Sequence, residues 1–296
     1  MMLTANEFEI LVCLEREKRS LTQREIVRLT NLSLGNVNKA IGQLEEKGYV
    51  KDSLITDLGL EQLEPYRVKR AIFLAAGFGS RMVPITLNTP KPLVLVNGKR
   101  IIETTLDALM KVGIKEIYIV TGYLSDQFEL LLKKYPTITF VYNPKYNEAN
   151  NIASAYLVKD KLSKAYMLES DLYLNNDIII RKYEYRSNYL GMKVDRTDDW
   201  CVETKKGIIT NEKLGGINCY QMAGIAYYDE EAGEKLKTDI EDVYNMPGGK
   251  EAFAEQVAML YRKQNYQIHI RECKPGDIIE IDTFNELKKI DKTYDV

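Results

Sequence analysis

The residues of this chain best suited to chemistry are two glycines followed by two cations. Leu74-Ala75-Ala76-Gly77-Phe78-Gly79-Ser80-Arg81 runs from an apolar stretch through small residues to an arginine, and Thr89-Pro90-Lys91-Pro92-Leu93 follows. Gly77 and Gly79 carry no side chain, so a phosphate can come close to their backbone N–H groups. Arg81 can fork onto phosphate oxygens. Lys91 adds a second cation on a backbone stiffened by Pro90 and Pro92. The pattern reads as a cradle for a polyphosphate. It is not the dinucleotide fingerprint, because Met82 stands where a third glycine is needed. It is not a Walker loop either, since Gly98-Lys99-Arg100 does not supply the G-K-[ST] ending.

Other chemistries are excluded by composition. The only histidine is His269, in the alternating stretch Gln267-Ile268-His269-Ile270, which reads as a strand. A multi-histidine metal site cannot be built, and a histidine-based triad would have to use that one residue. Cys13, Cys201, Cys219 and Cys273 form no C-x-x-C pair, so no zinc site or disulfide framework is indicated. The net charge of −2 does not suit a generic binder of polyanions. The opening MMLTANEFEI is not a signal peptide, and no stretch approaches the roughly 18 apolar residues of a membrane helix. A cytoplasmic protein with no membrane partner is expected.

Two segments must position these residues. In residues 1–66, Phe8, Leu11, Val12 and Leu14 give a helical stripe. Thr22 and Glu25 form a capping-box pattern, Ser33 is placed to cap a helix carrying Val37, Ile41 and Leu44, and Gly48 to end it. Tyr49-Val50 and Leu54-Ile55-Thr56 read as two short strands, and Thr56 as the cap of a last helix through Leu63. In residues 67–296 strands alternate with helices. Strands are expected over 71–75, 117–121, 138–142 and 165–168, and helices over 101–112, 125–135 and 152–162. That alternation predicts an α/β domain with a Rossmann-like, mostly parallel sheet and helices on both faces.

The first segment resembles a winged helix-turn-helix of the MarR-like type, chiefly through Leu44-Glu45-Glu46-Lys47-Gly48-Tyr49-Val50 and Ile55-Thr56-Asp57-Leu58-Gly59. The resemblance implies that the helix from Ser33 to Lys47 enters a DNA major groove. Its exposed positions offer Asn36, Asn38, Lys39 and Gln43, with only one positive charge, and phosphate neutralisation dominates DNA affinity. Two uses stay open: DNA as a partner, or dimerisation and contact with the enzyme domain.

The second segment, through L-A-A-G-x-G-S-R and T-P-K-P-L, resembles the nucleotidyltransferases that activate sugar 1-phosphates and alditol or amino-alcohol phosphates. The resemblance implies that Leu74, Ala75, Ala76 and Gly77 pass close to the base and ribose. Gly79, Ser80 and Arg81 would wrap the NTP phosphates, and Gly122 and Tyr123 would lie by the base. Lys91 would hold the α-phosphate and the incoming phosphate. It further implies a Mg²⁺ ion held by Asp171 and Asp282. Glu169 stands where the family usually has the first aspartate of D-x-D. The plainer readings are a helix cap or turn residue at Asp171 and, at Asp282, the N-cap of a terminal helix.

Asn143-Pro144-Lys145-Tyr146, Asn150-Asn151-Ile152-Ala153-Ser154 and Asp199-Trp200-Cys201-Val202 sharpen the likeness to the bacterial phosphocholine cytidylyltransferases. This likeness implies transfer of CMP from CTP to a small phosphorylated substrate. Trp200 is then expected to form one wall of a cation cage, with Asn150, Glu203, Phe253 and Glu255 nearby. Phosphoethanolamine, an aminoalkylphosphonate, a polyol phosphate or a sugar 1-phosphate could use the same framework. A regulator whose transferase-like domain senses a ligand is the alternative of another class.

Overall fold

The computed structural model describes residues 2–295. The chain forms two compact units, one holding the residues up to Arg67 together with Tyr183–Tyr185, the other holding the remainder.

The first unit contains helices α1 (Ala5–Glu17), α2 (Gln23–Thr30) and α3 (Leu34–Glu46), strands β1 (Val50–Lys51) and β2 (Leu54–Ile55), and helix α4 (Asp57–Leu63). Each helix begins on the hydroxyl of a Thr or Ser. Thr22 and Glu25 form the expected reciprocal capping box, Ser33 accepts from the Asn36 N–H, and Thr56 accepts from the Gly59 N–H. A second box, Thr4 with Glu7, opens α1. Phe8, Leu11, Ile26, Val37 and Leu44 are buried at its centre. The boundary expected after residue 66 is corrected in one respect, because a distant tripeptide completes this unit. The Tyr185 and Tyr66 rings stack at 5.5 Å, both lie against Phe8, and the Tyr185 hydroxyl donates to the Leu3 carbonyl at 2.8 Å.

The second unit is built on strands β3 (Arg70–Ala75), β6 (Glu116–Thr121), β7 (Ile138–Tyr142) and β8 (Ala165–Glu169), with the small hairpin β4 (Leu95–Val96) and β5 (Lys99–Arg100) between the first two. It continues through β9 (Leu172–Leu174), the long hairpin β10 (Asn188–Lys205) and β11 (Ile208–Tyr228), β12 (His269–Cys273) and β13 (Ile278–Glu280). The main sheet has the order β10-β12-β11-β8-β3-β6-β7. The four strands β8, β3, β6 and β7 are parallel, and β11 adds antiparallel to β8. Helices α5 (Ile101–Lys111), α6 (Ile152–Leu157), α7 (Glu230–Asn245) and α8 (Phe284–Ile290) complete it.

Strand alternation explains the layering. Ala71, Phe73 and Ala75 of β3 face one core with Ile102, Leu106 and Leu109 of α5, while Ile72 faces the other with Leu236, Ile240 and Val243 of α7. The helix expected over 125–135 is instead a 3₁₀ run over Ser125–Lys133, and the one expected over 152–162 ends at Leu157 before a short 3₁₀ turn. The apolar spacing read in the sequence serves these tighter turns as well as it would an α-helix.

Candidate active site

A cavity of about 660 Å³ opens at the carboxyl ends of β3 and β8, where ligands of open parallel sheets bind. Leu74 and Glu169 are register partners on these strands, so the loop after Ala75 and the acids after Leu168 emerge side by side. Leu74, Ala75, Ala76, Gly77, Gly79, Ser80 and Arg81 all line the cavity. Gly79 adopts φ +69, and a Cβ there would come within 3.0 Å of the Lys91 Cβ. Glycine at that position is therefore required both by backbone conformation and by the approach of Lys91.

Gly122 and Tyr123 stand behind this loop and are absent from the cavity lining. A Cβ on Gly122 would meet the Tyr146 side chain at 2.5 Å and the Ala76 carbonyl at 2.7 Å. The Tyr123 N–H donates to that carbonyl, its hydroxyl donates to the Thr86 and Leu87 carbonyls, and its ring packs edge-on to Phe78 at 4.5 Å. The pair expected beside the base braces the loop in this structure.

The cations and acids meet on the floor of the cavity. The Lys91 Nζ lies 2.6 Å from the Asp171 Oδ2 and 2.7 Å from the Asp282 Oδ1, which also accepts from Arg81 at 2.8 Å. Burial alone would lower the pKa of Lys91, but the Asp171 and Asp282 carboxylates outweigh it and hold the ammonium above its ordinary value. Strand β13 brings the distant acids here by pairing antiparallel to β9, with Glu280 opposite Leu172 and the Ile281 N–H donating to the Asp171 carbonyl. The cap of α8 is Thr283, so Asp282 is left to face Lys91 and Arg81.

Glu169, Asp171 and Glu280 place carboxylate oxygens within 4.8 Å of one another. Burial first, and then the charges of Asp171 and Asp282, push Glu280 up to about 8. Glu169 is likewise held well above the carboxylate range by burial and by Asp171 and Glu280. The Asp171 Oδ1 is buried without a hydrogen-bond partner. Three crowded acids with an orphaned oxygen are costly unless a proton or a cation joins them, and an all-oxygen donor set fits a hard divalent ion. The expected ligand pair is Asp171 and Asp282, and the carboxylates that cluster in this structure only partly coincide with it. Asp282 is engaged by two cations, and Glu169 and Glu280 group with Asp171 instead. The sequence signal for Glu280 was its position two residues before Asp282 on the same extended stretch.

Trp200 on β10 also lines the cavity and packs edge-on to Phe253 with ring centroids 5.8 Å apart. Glu255 and Asp199 are in the same lining. Glu255 is pushed up to about 7, chiefly by burial. Asn150 and Asn151 tie the start of α6 to the segment bearing Phe253: the Asn150 Nδ2 donates to the Glu251 carbonyl at 3.2 Å, and the Asn151 Oδ1 accepts from the Ala254 N–H at 2.7 Å. Glu203 does not join them. It lies three residues beyond Trp200 on β10, exposed on the hairpin and paired with Lys213, outside the cavity lining. His269 lies outside the cavity lining, beside Arg186.

Residues 70–196 match the family described as Nucleotidyl transferase. The chain is 35% identical over 228 residues to the 2-aminoethylphosphonate cytidylyltransferase of Lancefieldella rimae, covering 76% of this chain and 92% of that protein. The chain belongs to the cytidylyltransferases of the nucleotidyltransferase family.

The transferase is also 33% identical over 229 residues to the choline-phosphate cytidylyltransferase of Streptococcus pneumoniae, covering 75% of this chain and 97% of that protein. A solved structure of CTP:phosphocholine cytidylyltransferase from the same organism superposes with a TM-score of 0.70 at 31% identity, covering 77% of this chain and 99% of that one. Enzymes of this family generally use a divalent metal ion. Residues 3–51 of the transferase match the family described as Winged helix-turn-helix DNA-binding. Among the described residues, no helix is long and apolar enough to cross a membrane.

Proposed function

We propose that the transferase moves CMP from CTP onto a small phosphorylated amine such as phosphocholine, releasing pyrophosphate, with Mg²⁺ as the metal ion. The carrying observation is the set of groups that share one cavity. Arg81 and Lys91 are the basic residues that line it among the described residues, and Trp200, Phe253 and the buried carboxyl of Glu255 line it as well. Such a cavity suits a molecule with an anionic phosphate at one end and a cation at the other. A quaternary ammonium gains about 0.5–2 kcal/mol from each aromatic face.

In the reaction, an oxygen of the acceptor phosphate attacks the α-phosphorus of CTP in line, and the bond to the β-phosphate oxygen breaks as pyrophosphate departs. A phosphomonoester has a second pKa near 6, so the attacking oxygen is already ionised near neutral pH. No general base is needed, which accords with a cavity that His269 does not reach. Lys91 and Arg81 exchange their carboxylate partners for phosphate oxygens and offset the charge that grows on the α-phosphoryl group. Glu169, Asp171 and Glu280 would hold the divalent ion, which neutralises phosphate charge when bound. Asn150 fixes the entrance of α6, and Trp200, Phe253 and Glu255 orient the acceptor, so that alignment carries much of the rate.

Cytosine and choline enter this reading from the relatives' names, with aminoalkylphosphonates next in line. The test is pyrophosphate release with Mg²⁺ and each NTP across phosphocholine, phosphoethanolamine, 2-aminoethylphosphonate and glucose 1-phosphate. Release with CTP and a phosphorylated amine supports the reading. Turnover confined to the sugar phosphate, or to another NTP, overturns it. Binding of these ligands with no turnover for any pair would favour the sensing regulator.

A further inference from the structure

We propose that Glu212, through Gln256, is a positioning residue that sets the geometry of the acceptor end of the cavity. This inference rests on the reading of Trp200, Phe253 and Glu255 as the part that receives the cationic head group.

Glu212 lies on β11 and is not itself part of the cavity wall. It stands opposite Val202 in the hairpin, and two residues further along β11 Leu214 stands opposite Trp200. Side chains two apart on a strand share a face, so Glu212 and Leu214 look to the same side as Trp200. Both Trp200 and Leu214 line the cavity. The Glu212 Oε1 accepts from the Gln256 Nε2 at 3.1 Å, between two side chains that are each more than nine-tenths buried. The same Gln256 amide turns its other end back on its own segment, where its Oε1 accepts from the Phe253 N–H at 3.0 Å. Phe253 then meets Trp200 edge to face. A circuit therefore closes from Trp200 to Leu214 and Glu212 along the hairpin, across to Gln256, and back through Phe253. Glu255 is carried by the same short segment.

A buried carboxylate at this point has a cost that packing alone does not explain. The Glu212 Oε2 is buried with no hydrogen-bond partner, and burial raises the carboxyl's pKa. A leucine would fill such a place more cheaply if the site needed only bulk. What leucine cannot do is accept from the Gln256 amide, and that amide is what fixes Phe253 against Trp200. Buried polar links of this kind hold one arrangement among several of similar packing.

The experiment compares the full-length protein with Glu212→Leu, Gln256→Leu, the double variant and Glu212→Gln, measuring pyrophosphate release and melting temperature. If the inference holds, Glu212→Leu and Gln256→Leu each raise the KM for the phosphorylated amine roughly 10-fold or more while kcat and the KM for CTP stay within about twofold. The double variant then loses no more than Gln256→Leu alone, since that variant already removes the link to Glu212 along with the one to Phe253. Glu212→Gln, which keeps the acceptor oxygen, restores the parental KM. Equal changes in both KM values, additive losses, or no rescue by glutamine overturn the inference. So does a Glu212→Leu protein that fails to fold while Gln256→Leu folds with an unchanged acceptor KM, or the failure of both to fold. If the parent releases no pyrophosphate with any pair, the underlying reading fails and takes the inference with it. An active parent with indifferent variants sinks the inference alone.

Discussion

The ammonium of Lys91 stands 2.6 Å from the carboxylate of Asp171, although 80 residues separate them in the chain. Both side chains are largely withdrawn from solvent, at 10% and 19% exposure. Breaking such a pair from one side leaves an uncompensated buried charge, at a cost of about 3–5 kcal/mol. Lys91→Met is therefore expected to lower the melting temperature in the presence of a chelator. It should also reduce kcat by a factor on the order of 10²–10³. Calorimetry and steady-state kinetics check the two parts. A variant with near-parental kcat would remove Lys91 from the reaction.

Metal binding should be visible without turnover. A divalent ion that binds only the folded protein stabilises it by about 2.7 kcal/mol at a hundred times its dissociation constant. Millimolar Mg²⁺ is expected to raise the melting temperature of the parent, and EDTA to reverse the rise. Asp171→Asn and Glu280→Gln should each abolish that response. If both variants respond to Mg²⁺ as the parent does, Glu169, Asp171 and Glu280 are not the metal site.

Glu255 gives the acceptor end a pH signature. Its pKa is pushed up from 4.5 to about 7, chiefly by burial. A carboxyl whose folded pKa is raised loses stability as it ionises. Any contribution present below pH 4.5 is thus lost as pH rises through about 7. A cationic head group reverses the balance by favouring the ionised form. The KM for a phosphorylated amine should fall as pH rises from 6 to 8, and Glu255→Gln should remove most of that slope. The remainder belongs to the acceptor phosphate, whose second pKa is near 6. An unchanged slope in the glutamine variant would count against contact between Glu255 and the head group.

Aromatic recognition should discriminate between substrates. Loss of one ring worth about 0.5–2 kcal/mol corresponds to roughly 2- to 30-fold in affinity. Trp200→Ala is expected to raise the KM for phosphocholine within that range and to leave the KM for CTP unaltered. Parallel titration of both substrates decides it.

For the first unit the expectation is modest. Its α3 presents Asn36, Asn38 and Lys39 to solvent, but Glu45 and Glu46 lie exposed on the same helix. With so few cations, any duplex affinity should show a shallow salt dependence, with a log–log slope no steeper than about −3. Fluorescence anisotropy between 50 and 200 mM salt, expressed relative to the Lys39→Ala protein, measures it. A steep slope would mean that basic residues beyond α3 make the contact.

Much of this site was legible in the residues because local rules govern it. The glycine loop, Arg81 and Lys91 occupy one strand end and the turn after it, and their spacing betrays a phosphate cradle whatever the rest of the chain does. The capped helices of the first unit were legible for the same reason, since Thr22, Ser33 and Thr56 act within a single turn. What stayed hidden depends on long-range pairing. Glu280 joins Asp171 only because β13 lies against β9, and no local pattern announces that partnership. The misplacement of Glu203 has the same origin, because a few residues of extended chain decide which side chains reach the cavity. The tightened turns at Ser125–Lys133 show the remaining limit, since apolar spacing alone does not distinguish an α from a 3₁₀ winding.

The tyrosines at 183 and 185 bear on how the gene could be cut. A fragment stopping at Arg67 would leave Phe8 and Tyr66 without the ring that packs on both of them, and the Leu3 carbonyl without its donor. Conversely, a protein starting at Val68 would keep Tyr185 but lose the Phe8 and Tyr66 rings on which it packs. Residues 183–185 thus belong with the first unit, although in sequence they lie inside the second. Swapping either one for a homologue would require carrying the tripeptide across as well.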